Sequence, residues 1–87
     1  MTLKKGLILK EVAGSYIVVA VGSAVKTLNG IITLNKTGAF LWKELESDKT
    51  EQELIDALLS RFDVQPETAK KDVADFITAI KNANLLA

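Results

Sequence analysis

Gly30-Ile31-Ile32-Thr33-Leu34-Asn35-Lys36-Thr37-Gly38-Ala39-Phe40-Leu41-Trp42-Lys43-Glu44-Leu45 is the stretch in which the chain changes its period. Up to Leu34 it reads as strand, opening on the Asn29-Gly30 dipeptide, whose two residues tolerate the positive φ angles of a type I′ hairpin turn. From Asn35 onward the apolar residues fall at helical intervals: Ala39, Phe40, Leu41 and Leu45, with Trp42 nearby. Asn35 stands where an N-cap is needed, its side chain able to accept from an unpaired amide of the first turn. The junction therefore divides a β-rich first third from a helical remainder.

Toward the N-terminus, Ala24–Leu28 and Ile31–Leu34 flank Asn29-Gly30 as one hairpin. Leu7–Val12 and Ser15–Val21 flank Ala13-Gly14 as another, with Gly14 free to take positive φ. The Ser15–Val21 segment is apolar on both sides: Tyr16, Val18 and Ala20 point one way, Ile17, Val19 and Val21 the other. A half-solvated antiparallel strand should alternate with polar residues. This strand is either covered on both faces or presents its second face to another chain, which would make a homodimer through the sheet.

Toward the C-terminus, Thr50-Glu51-Gln52-Glu53 is a capping box opening a helix whose buried face is Leu54, Ile55, Leu58, Leu59 and Phe62. Pro66 suits the first turn of a last helix, residues 66–82, with Ala69, Val73, Phe76, Ile77 and Ile80 as its core stripe. Leu85 and Leu86 are expected to fold back and close the core. Strands segregated from helices predict an α+β fold: a small antiparallel sheet of three or four strands, then three helices, in a winged-helix-like arrangement. The 87 residues are expected to form one domain, since so short a chain can bury only one core.

Composition narrows the chemistry. There is no cysteine, so no disulfide, and no histidine, so neither a soft zinc site nor the usual neutral-pH base is expected. No catalytic residue, cofactor or metal ligand is expected. Asp72 and Asp75 could pair on one helix face, but a solvated edge is the simpler account, and Gly22 and Gly30 form no phosphate-cradling loop. Nothing resembles a signal peptide or the roughly 20 apolar residues of a membrane span, so a cytosolic location is expected. Charge is uneven along a neutral chain. Residues 1–36 carry five lysines against Glu11, net +4, while residues 37–87 carry six basic and ten acidic side chains, net −4.

The stretch from Gly30 to Leu45, the threonine-started helix at Thr50, then Asp72-Val73 with Phe76 and Ile77, and the closing Asn84-Leu85-Leu86 together resemble the PqqD family, the pyrroloquinoline-quinone synthesis protein D group. The resemblance covers about Tyr16 to Leu86. It implies a non-catalytic module that captures the leader of a ribosomally made precursor peptide and presents it to a modifying enzyme, commonly a radical S-adenosylmethionine maturase. In that family the leader adds as a strand beside the last strand of the sheet, against the final helix. Here that points to Ile31, Ile32, Thr33 and Leu34 as the strand and to residues 66–82 as the wall. The chain departs from the pyrroloquinoline-quinone pathway members enough that the resemblance does not name the product.

On the last helix, at about 100° per residue from Val73, Lys70, Ala74, Ile77 and Lys81 share one flank and Asp72 and Asp75 the other. The lysine flank would suit a peptide with apolar and acidic side chains; two lysines snorkelling over the core edge are the alternative. Trp42 is expected in the core. The competing function for this shape is duplex DNA binding. A recognition helix should be basic, and this one balances Lys70, Lys71 and Lys81 against Glu67, Asp72 and Asp75 and lacks arginine. Neither nucleic acid nor membrane is expected as a partner.

Overall fold

The computed structural model describes residues 1–22 and 32–87. Within them the order is β1 (Leu7–Val12), β2 (Ser15–Ala20), β3 (Ile32–Leu34), α1 (Lys36–Glu44), α2 (Glu51–Arg61) and α3 (Pro66–Asn82). The strands form one antiparallel sheet in the order β1-β2-β3, so the α+β arrangement expected from the sequence is the one observed. The expected Ala24–Leu28 strand, the Asn29-Gly30 turn and Ile31 lie outside the described residues.

β1 and β2 are joined by a two-residue loop, with Val12 opposite Ser15. Both loop residues take positive φ, Gly14 at 80° and Ala13 at 52°. Two-residue hairpins favour such a loop because its twist matches that of the strands. Gly14 was the expected residue there; Ala13 joins it despite a Cβ that makes this conformation unfavourable.

α1 and α2 begin at side-chain caps, while α3 opens on Pro66 without one. The Asn35 side chain accepts from the Gly38 amide at 2.7 Å. Thr50 and Glu53 satisfy each other's backbone amides, Thr50 N–H to the Glu53 carboxylate at 2.9 Å and Glu53 N–H to the Thr50 hydroxyl at 3.1 Å. Hydrogen bonding to the Glu53 carboxyl, first from the Thr50 amide and then from the Thr50 side chain, holds that carboxyl below the usual carboxylate range. α3 ends in a Schellman turn. Asn84 adopts φ 62°, the Leu85 amide reaches back to the Ile80 carbonyl at 2.9 Å, and the Asn84 amide to the Lys81 carbonyl at 3.0 Å.

That turn aims Leu85 inward, where it is fully buried with Val18, Leu41, Trp42, Leu45, Leu54, Leu58, Val73 and Ile80. Leu86 then forms an antiparallel bridge with Leu3, flanked by bonds from the Lys4 amide to the Leu85 carbonyl at 2.8 Å and from the Ala87 amide to the Thr2 carbonyl at 2.9 Å. Nearby the Met1 ammonium meets Asp48 at 2.7 Å, and this bond, with the ammonium's charge, lowers the Asp48 carboxyl from its ordinary range.

The helices cover one face of the sheet, through Val18 and, partly buried, Leu7, Leu9, Ile32 and Leu34. On the other face Ile8, Val12 and Val21 are exposed, with Ile17 and Val19 partly so. β2 is thus central in the sheet, and its doubly apolar character reflects one face in the core and one outside it.

Candidate functional site

Among the described residues β3 is an edge strand, and the register decides what its edge offers. In an antiparallel ladder each residue turns both its N–H and its C=O to the same side, and the side alternates along the strand. The Val21 amide donates to the Gly6 carbonyl at 2.8 Å, so the odd-numbered residues of β2 face β1. Tyr16 and Val18 therefore face β3, where they pair with Leu34 and Ile32. Thr33, opposite Ile17, turns its N–H and C=O away from β2, toward an edge that is open among the described residues.

Beside that edge lies a cleft of about 250 Å³. Thr33, Leu34 and Asn35 form one side, α3 supplies Asp72, Asp75, Phe76 and Ala79 opposite, and Thr37, Gly38 and Leu41 close one end from α1. Leu41 and Phe76 belong to the buried core, so the floor is apolar. Gly38 keeps the junction compact: a Cβ there would meet the Asn35 Oδ1 at 3.1 Å and the Leu34 side chain at 3.5 Å.

Of the residues expected at the site, Thr33 presents its backbone to the edge and Leu34 lines the cleft. Ile32 turns its polar groups to β2 and packs against the core. Ile31 lies outside the described residues. α3 is the wall, but with the opposite flank to the one expected. Lys70, Ala74, Ile77 and Lys81 do not line this cleft, whereas Asp72 and Asp75 do. The core stripe fixes the rotation of α3, and β3 lies on the Asp72–Phe76–Ala79 side of that stripe. A helical wheel separates two flanks but does not say which one meets the sheet. Neither Asp72 nor Asp75 has a salt bridge or a side-chain hydrogen bond among the described residues.

Two other clefts adjoin the sheet. One, of about 390 Å³, runs along Thr2 to Leu9 and is closed by Trp42, Lys43, Leu45 and Glu46. The other, of about 440 Å³, gathers Tyr16, Phe40 and Phe62, with the two phenylalanines edge to face at 5.4 Å and 85°. Its only strand residue is Tyr16 of the central strand, so no free strand edge borders it. Trp42 is buried in the core, as expected.

The chain belongs to the family described as Coenzyme PQQ synthesis protein D (PqqD), whose model matches residues 10–86. No curated protein matches it. Among solved structures it is similar to TbiB1, determined in complex with the TbiA(beta) leader peptide, at 22% identity and a TM-score of 0.75, over 99% of this chain and 94% of that one. It is also similar to a lasso peptide synthetase B1 complexed with the leader peptide, at 18% identity and a TM-score of 0.71, over 95% and 92% of the two chains. At these identities the likeness establishes a shared fold.

Proposed function

We propose that this member of the PqqD family is a non-catalytic recognition module, which captures the leader of a ribosomally made precursor peptide as an added antiparallel strand on β3. One observation carries the reading: Thr33 turns outward a donor and acceptor that no described residue pairs with, directly beside a cleft with an apolar floor. An extended peptide can satisfy that edge through its own backbone, while the cleft selects side chains. Support comes from the two similar structures, both of which hold leader peptides.

Presentation of the captured peptide to a radical S-adenosylmethionine-type maturase, in the cytosol and with no cofactor bound to this chain, belongs to the same proposal. No described helix is long and apolar enough to cross a membrane. Titrating a leader into ¹⁵N-labelled protein tests the site: amide shifts should concentrate at Thr33, Asn35 and the Asp72–Ala79 face of α3. Shifts confined to β1 or α2 would refute it. Duplex DNA should bind weakly, because α3 has no net charge and turns carboxylates toward the cleft.

The exposed outer face of the sheet supports a second part of the proposal, association of two copies through Ile8, Val12 and Val21. Sedimentation at micromolar concentration tests it, with a strict monomer as the opposing result.

A further inference from the structure

We infer that the peptide segment seated between β3 and α3 carries a lysine or arginine opposite Asp72 and Asp75, two residues from an apolar side chain that enters the cleft. This rests on the proposed function and narrows its substrate. Every other described residue lining the cleft is uncharged: Thr33, Leu34, Asn35, Thr37, Gly38, Leu41, Phe76 and Ala79. Asp72 and Asp75, three apart on α3, have Cβ atoms about 5–6 Å from each other. Among the described residues no lysine or arginine lines the cleft, and Asp72 is partly buried beside the apolar floor.

A strand added at Thr33 points alternate side chains toward α3, about 6.5–7 Å apart. With a strand seated in the cleft, one such position would face Leu41 and Phe76 and the next the carboxylate rim. An acidic side chain at that second position meets two like charges; a basic one meets two opposite charges near a low-dielectric floor. Of the lysines of α3, Lys70 and Lys81 sit on the opposite flank, and Lys71, one turn before Asp75, neither lines the cleft nor makes a salt bridge with Asp75 among the described residues.

The test is selection of a random 12-residue peptide library on the immobilised full chain, beside the Asp75→Lys and Asp72→Asn/Asp75→Asn variants. Selected peptides are then mapped by amide shifts. Groove binders from the unaltered chain should be enriched in lysine or arginine two residues from an apolar position. That enrichment should vanish with the double variant and give way to acidic residues with Asp75→Lys. Replacing the selected lysine by glutamate should weaken binding about three- to tenfold at low salt, with the difference shrinking as salt is raised. Groove binders without basic enrichment, or with enrichment unchanged by either variant, overturn the charge assignment and leave the proposed site standing. Binders that map only away from β3 and α3, or the absence of any, overturn the site and the charge assignment together. Asp75 is exposed, so its replacement leaves the core intact.

Discussion

The two edges of this sheet border clefts of opposite charge. Along β1 the cleft is lined by Lys4, Lys5 and Lys43 against Glu46, and the chain's own Thr2–Gly6 segment forms much of it. Along β3 the charged lining among the described residues is Asp72 and Asp75. By the same alternation that frees Thr33, the longer β1 edge turns the N–H groups of Leu7, Leu9 and Glu11 outward. Open backbone groups therefore do not single out β3. The difference lies in what stands opposite: the chain's own N-terminal segment in one case, an apolar floor under two carboxylates without a salt bridge among the described residues in the other. An edge becomes selective through its wall.

The sharpest way to break the comparison is Thr33→Pro. The lost N–H faces the open edge, so the β2–β3 ladder stays intact while the donor offered to a leader disappears. Leader affinity should fall at least tenfold in a calorimetric titration, with the unfolding midpoint nearly unchanged. Unaltered affinity would move the binding strand elsewhere. Next in size is Ala13→Asn, which places a residue tolerant of positive φ in the β1–β2 turn. It should raise stability by about 0.5–1 kcal/mol in denaturant unfolding and leave leader binding alone.

Smaller again is the response to acid. The folded-state pKa values of Glu53 and Asp48 are lowered, so their contributions are complete above the ordinary carboxylate range and are lost as pH falls through it. Thermal midpoints should decline below about pH 5. Thr50→Ala should flatten the Glu53 part of that decline. The smallest expected effect is at the other edge. Glu11→Pro removes an outward N–H from β1 and should leave leader affinity within about twofold, as an edge without a role in binding requires.

Much of this molecule could be read from local chemistry. Asn35, the Thr50–Glu53 box and Pro66 announced their helices because a cap is decided within a few residues. The Ala13-Gly14 hairpin was legible for the same reason. The cleft was legible only as an expectation carried by family resemblance. Its strand and its wall were anticipated, but the flank of α3 was not, because that depends on which side of the core stripe the sheet occupies. Thr33 stood among four candidate strand residues until the register showed which way its amide points. The Leu3–Leu86 pairing left no local signal, since each residue reads merely as apolar.

That pairing bears on the order in which the molecule assembles. It joins residues from opposite ends of the chain, so nearly the whole polypeptide must be arranged before the bridge can form. The β1–β2 hairpin and the helical turns close short loops and can form without it. Closure of the two ends is therefore expected as a late folding event and an early opening one, with little influence on the folding rate and more on the unfolding rate. Hydrogen exchange would register this as weaker protection at the Lys4 and Ala87 amides than at those of the β1–β2 ladder. Because Leu85 sits next to the bridge and deep in the core, opening of the ends is expected to loosen the last turn of α3, the same helix that borders the cleft.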